Sequence, residues 1–186
     1  MVWLKRIALA VVLLVVVLLV VGLFLPRNAQ VERSLFIQAP PAVVYAEVSD
    51  FNRFNAWSPW YGEDPQARYT VSGQPGQAGH QLRWQSAKPE VGNGAMTLVE
   101  ANPPGYVGIK LDFGPQGQAD SYFRIRPVNG GSNVTWGFQV DFGNDVIGRY
   151  VGLMLGTMVG NQYQKGLENL KKVITQEEKR VPDDNG

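Results

Sequence analysis

NDVIGRYVGLMLGTMVGNQYQKGLENLKKVI, from Asn144 to Ile174, decides the fold. Val159, Tyr163, Leu167, Leu170 and Ile174 recur at the three- and four-residue spacing of a helix with one apolar face. Upstream the pattern changes, and Gly148, Gly152, Gly156 and Gly160 fall at strict four-residue intervals. A glycine inside a helix costs about 1 kcal/mol against alanine, so this ladder needs a physical reason. A smooth helix face can pack closely on a sheet, or it can help to shape a cavity wall; the sequence leaves both open. The stretch predicts one long helix with the preceding β-rich segment wrapped around it.

Working outward, the 186-residue chain carries 17 Lys and Arg against 16 Asp and Glu. Without the first 25 residues, which hold Lys5 and Arg6, the balance is 15 to 16. The basic runs are no longer than Lys171-Lys172 and Lys179-Arg180, so nucleic acid is not an expected partner. The absence of cysteine excludes disulfides, thiol nucleophiles, zinc-thiolate sites and a lipid-modified cysteine anchor. Residues 26 to 186 are enough for one domain with a substantial core.

Ile7 to Leu25, IALAVVLLVVVLLVVGLFL, contains no charge. At about 1.5 Å per residue it makes a helix of roughly 28 Å, the thickness of a bilayer's hydrocarbon core. A secretory signal has a shorter apolar region and a small residue before its cleavage site; here the exit carries Pro26 and Arg27. The sequence therefore predicts a short N-terminus (1–6), an uncleaved transmembrane helix (7–25) and a brief linker (26–30). A domain (31–175) and a charged tail expected to be disordered (176–186) complete the chain. Lys5 and Arg6 place the N-terminus in the cytoplasm, although Arg27 and Arg33 pull the other way. The domain is then expected on the non-cytoplasmic side of an inner or plasma membrane. Five linker residues reach at most about 15 Å, which holds it against the surface.

Val31 to Gln38 alternates as a first strand, and Ala39-Pro40-Pro41 ends it. Ala42 to Ser49 reads as a short helix; a second, N-capped by Asp50, runs through Phe51, Phe54 and Trp57 until Ser58-Pro59-Trp60 stops it. From Arg68 the period is two. Six strands follow, separated by Gly73–Gln77, Asn102–Gly105, Gly114–Gly117 and Asn129–Ser132 among other turns. Val107, Ile109, Leu111 and Phe113 share one face, as do Val134, Trp136, Phe138 and Val140. The fold class is α+β: an antiparallel sheet of about seven strands gripping a long C-terminal helix.

Several stretches carry a resemblance. They are Arg33–Ile37 followed by Ala39–Tyr45, Asp50-Phe51 leading to Trp57–Trp60, Gly79 with Trp84, Gly94 with Met96-Thr97, Val134–Trp136, and Gly166–Lys171. With the element order, they make the chain similar to the START-like (SRPBCC, polyketide cyclase and dehydrase) helix-grip superfamily. The resemblance spans about Val31 to Ile174. It implies a cavity between sheet and last helix that takes a lipid or other hydrophobic molecule, and some relatives are enzymes. Fold alone does not decide between these.

The candidate cavity residues are Trp57, Trp60, His80, Trp84, Phe113, Phe123, Trp136, Phe138, Gly152, Gly156 and Tyr163, with Thr97, Tyr122 and Gln162 as polar punctuation. Trp57 and Trp60 have a second reading as indoles resting at the headgroup level. His80, the single histidine, permits no histidine metal cluster and reads first as a core or pocket-wall residue. No nucleophile elbow or phosphate loop is present, so no catalytic residue, metal site or cofactor is assigned. The expected partners are a hydrophobic small molecule or lipid and, through residues 7–25, the bilayer. Two alternatives stand beside this: a cyclase- or hydratase-type enzyme with an acid or base in the cavity, and an interaction module without a ligand.

Overall fold

The computed structural model describes residues 2–180. The elements are α1 (Val2–Phe24), β1 (Asn28–Ile37), α2 (Pro41–Ser49), α3 (Pro59–Glu63), β2 (Arg68–Ser72), β3 (Gln81–Gln85), β4 (Asn93–Asn102), β5 (Tyr106–Asp112), β6 (Gln118–Val128), β7 (Gly131–Asp141) and α4 (Val146–Arg180). All seven strands form one antiparallel sheet in the order β1-β7-β6-β5-β4-β3-β2. β2 to β7 are a meander. β1 closes it by pairing with β7, with Val31 opposite Phe138 and Leu35 opposite Val134. The α+β helix-grip architecture expected from the sequence is the one observed.

The inner face of the sheet carries Leu82, Met96, Leu98, Val107, Ile109, Phe123, Ile125, Val134 and Trp136, all buried. α4 covers it with Tyr163, Leu167, Leu170 and Ile174, which are 0–2 % exposed. Burying each large aliphatic side chain contributes about 1.5–3 kcal/mol, so this seam is the main source of stability. Contact is close enough that a Cβ on Gly166 would lie 2.5 Å from Trp136 Cζ3. Glycine at this position is what lets helix and sheet meet.

Three boundaries differ from the expectation. Pro59 begins α3 rather than stopping a helix: proline lacks only an N–H that the first helical turn leaves unpaired, and Ser58 Oγ caps by accepting from the Tyr61 N–H at 3.4 Å. Asp50 caps no helix, because its Oδ1 accepts from the Asn52 N–H at 2.9 Å and closes a local turn. The helix expected to end near Ile174 continues to Arg180, so the tail from 176 is helical as far as that residue, and 181–186 lie outside the described residues.

α1 is long and apolar enough to cross a membrane, with a mean hydropathy of 3.5 over its best 18-residue window. Its last turns dock on the start of α4. Gly22 is buried beneath Val146 and Tyr150. Arg149, 3 % exposed, donates to the carbonyls of Gly22 (3.3 Å), Leu23 (3.0 Å) and Gly143 (2.6 Å). The last four carbonyls of a helix lack partners within it, and the negative end of the helix dipole favours a cation there. Arg149 meets both needs.

Candidate functional site: an aromatic cavity between sheet and helix

Between the inner face of the sheet and α4 lies a cavity of about 280 Å³. Its wall includes Trp60, Trp84, Phe113, Phe123, Trp136, Phe138 and Tyr163, seven of the residues singled out in the sequence. Tyr163 stacks on Trp136 with ring centres 3.9 Å apart and planes 12° apart, and Trp60 meets both rings edge-on. Trp84 lies over its cross-strand neighbour Gly94, where a Cβ would come 2.5 Å from the indole. Phe113 meets Trp84 edge-on. A cavity walled by aromatic rings with few polar groups suits an apolar guest.

Four expected wall residues stand elsewhere. Trp57, 1 % exposed, sits behind the wall with its ring 5.5 Å from Trp136 and 5.9 Å from Phe123, so it neither lines the cavity nor reaches a headgroup layer. His80 is fully buried: its Nε2 accepts from the Phe51 N–H at 2.8 Å and its Nδ1 faces the Ser72 carbonyl at 3.1 Å. The ring thereby ties the turn at Phe51 to the end of β2, stacks on Phe51 at 4.8 Å, and has the Asp50 carboxylate 3.6 Å from Nε2. Gly152 faces Phe142, whose Cε2 lies 2.7 Å from where a Cβ would be, and Gly156 faces open space. The ladder makes room instead for Phe142 beside Gly148 and Gly152, and for the Arg33 guanidinium beside Gly160.

The expected polar punctuation also moves. Tyr122 belongs to the outer face, where its hydroxyl bonds to Glu32, and Thr97 bonds there to Gln81 at 2.7 Å. Gln162 on α4 is outside the wall. Besides Ser58 and the buried hydroxyl of Tyr69, the polar point inside is Ser121. Its Oγ accepts from Trp136 Nε1 at 3.1 Å, lies 3.0 Å from the Tyr163 hydroxyl and donates to the Gly137 carbonyl at 3.0 Å. A serine has one proton to give, and it goes to the carbonyl, so Tyr163 donates to Ser121. The phenol oxygen keeps acceptor capacity at the wall. Burial pushes the Tyr163 phenol well above its usual range, so it stays neutral. The signal for Ser121 was available: it alternates with Ala119, Phe123 and Ile125 on the inward face of β6.

Strand register locates the mouth. Asn28 pairs with Asp141, Asp120 with Gln139, Gln118 with Asp112, Asp112 with Ala95, and Asn93 with Gln85. These residues mark one end of the sheet. α1 leaves and α4 begins at that end, and the loops that carry Pro89, Glu90, Gly92 and Gln116 of the cavity rim close the strands there. Glu90 is the carboxylate among the lining side chains, and it is solvent-exposed.

A family model described as "Polyketide cyclase / dehydrase and lipid transport" matches residues 28–175. The chain belongs to this family. The match starts at the first residue of β1 and ends inside α4, so it takes in the whole sheet and cavity and leaves out α1. Among solved structures, a solution NMR structure from Thermobifida fusca is 19 % identical with a TM-score of 0.60, covering 79 % of this chain and 93 % of that one. A protein from Nitrosospira multiformis is 17 % identical with a TM-score of 0.57, covering 81 % and 99 %. An uncharacterized protein from Rhizobium leguminosarum is 18 % identical with a TM-score of 0.53, covering 80 % and 95 %. At these identities the likeness is one of fold. No curated protein matches the chain.

Proposed function

We propose that this family member is a membrane-anchored domain that holds a hydrophobic small molecule or lipid in the cavity between sheet and α4. The observation that carries the reading is the wall: ten aromatic residues around about 280 Å³, with a hydrogen-bonded polar node of Ser121, Trp136 and Tyr163. A guest with an apolar body and a small polar group matches it, because the Tyr163 oxygen keeps acceptor capacity and the buried hydroxyl of Tyr69, also in the wall, has no partner. His80 does not line the cavity, and its nitrogens are engaged by the Phe51 N–H and the Ser72 carbonyl, so it is not placed to act as acid or base on a guest.

Two features support the anchor. α1 has the length and hydropathy of a span. Arg149 is buried around its last carbonyls, and cleavage after α1 would strip this arginine of two of its three acceptors. A buried guanidinium deprived of partners is costly, so the domain is built to keep α1. The mouth at the anchor end then gives an apolar guest a route from the bilayer into the cavity.

The test is mass spectrometry of the organic extract of the purified, detergent-solubilised full-length protein, with Val159→Phe alongside. Val159 lines the cavity from α4, and phenylalanine there fills it. Enrichment of one class of amphiphile with the native protein, and its loss from the variant, is the expected result. Equal amounts from both proteins would defeat the proposal.

A further inference from the structure

The first turns of α4 contribute little to the core. Ile147, Val151, Leu153, Met154 and Met158 are 74 %, 49 %, 63 %, 61 % and 58 % exposed. Ile147, Val151, Met154 and Met158 fall at intervals of four, three and four residues, so they form one stripe along the helix. From Tyr150 to Gln164 no side chain carries a charge. The one charge in the preceding turn, Arg149, is turned inward onto the carbonyls that end α1. A continuous, uncharged apolar face of this kind on an isolated domain marks a surface that something covers.

We infer that Val146–Met158 is a second membrane-embedded segment, seated in the same lipid leaflet as the end of α1. The inference rests on the reading of α1 as a span. Continuity between the two helices decides the occupant. Tyr150 donates its hydroxyl to the Leu18 carbonyl at 2.6 Å, and Leu18 lies six residues, about 9 Å of helix, before the end of α1 at Phe24. The lipid that surrounds α1 at that depth therefore reaches the Tyr150 ring and the stripe beginning on the same turns. A second copy of the chain fits less well. Three of the four glycines that would let two helices approach are already covered, Gly148 and Gly152 by Phe142 and Gly160 by Arg33, and the open Gly156 alone makes no small-residue seam. In this arrangement α1 and α4 hold the domain at two points, which fixes the rim of the cavity toward the leaflet.

The chain lacks cysteine, so single labels can be placed at will. Val151→Cys, Met154→Cys and Met158→Cys, with Val15→Cys in α1 and Lys172→Cys on the exposed distal part of α4, are each labelled with a nitrobenzoxadiazole dye. The full chain is then reconstituted into phosphatidylcholine vesicles with and without nitroxide-labelled lipid. Labels at 151, 154 and 158 should be quenched to an extent comparable with position 15, and the label at 172 should not. Quenching at 15 with water-like emission at the three α4 positions overturns this inference alone. Loss of quenching at 15 as well overturns the anchor reading with it. Cross-linking between copies at 154 or 158, without lipid quenching, assigns the face to a protein interface and also overturns it. None of these readouts depends on whether the cavity holds a guest.

Discussion

The two halves of α4 share one backbone but face different surroundings. From Val159 to Ile174 the buried positions are Gly160, Tyr163, Gly166, Leu167, Leu170 and Ile174, and Lys165, Glu168, Lys171 and Lys172 point to water or lie at the rim of burial. From Val146 to Met158, Ile147, Val151, Leu153, Met154 and Met158 face outward, Val146 and Leu155 are half-buried, and full burial falls on Gly148 and Arg149. The distal half is an ordinary amphipathic core helix. The proximal half reverses that order, apolar outside and charge inside, as expected of a helix whose outer solvent is lipid. The cavity wall takes Val159 and Tyr163 from the junction of the two halves.

Truncation should expose the difference most strongly. Leu167→Ala removes a fully buried side chain and should cost about 2–5 kcal/mol in denaturant unfolding of the detergent-solubilised protein. Met154→Ala, on the outer stripe, should stay within about ±0.5 kcal/mol. Similar losses at both positions would erase the distinction between the halves.

Gly166→Ala comes next. The added methyl meets the Trp136 ring and should cost about 1–3 kcal/mol by overpacking, read as a fall in the thermal midpoint. An unchanged midpoint would mean that helix and sheet have room to spare at this contact. Arg149→Ala should act at the junction of α1 with α4. It leaves the Leu23 and Gly143 carbonyls without this donor, the Gly22 carbonyl keeping the Leu25 N–H, at about 1–3 kcal/mol, and should speed protease cleavage between Phe24 and Asn28. If cleavage there is as slow as in the native chain, Arg149 does not fasten α1 to α4. The smallest effect has the opposite sign. Gly156→Ala places a methyl in open space and should raise stability by up to about 1 kcal/mol through helix propensity. A loss of stability at Gly156 would show that this face is packed after all.

The architecture was legible because its signals are periodic and local. Alternation along β5 and β7 names the inward residues, and the spacing of Tyr163, Leu167, Leu170 and Ile174 names the buried face of α4. Trp84, Phe113, Phe123, Trp136 and Phe138 follow from the strand alternation and Tyr163 from the helical spacing, while Trp60 on α3 belongs to neither pattern. The roles of the glycines did not, because they depend on what lies across from each one, and Phe142 and Arg33 are brought there only by the fold. His80 shares the face of Leu82, yet loop backbone groups near Phe51 and Ser72 take up both its nitrogens. Pro59 reads equally as the end of one helix or the start of another until the Ser58 cap is seen. Parity on β6 pointed to Ser121, but a small residue carries little weight among large aromatic neighbours.

The central claim is that the cavity holds an apolar guest, and the protein's own tryptophans can report it. Trp60, Trp84 and Trp136 line the cavity, Trp57 lies just behind Trp136, and Trp3 belongs to α1. In a Trp3→Phe background, titration with a fatty acid brominated along its chain places a contact quencher beside these rings if it enters. Saturable quenching of tryptophan emission is predicted, with Val159→Phe abolishing it. Quenching that rises without saturation, or that is the same in the filled variant, would contradict the account.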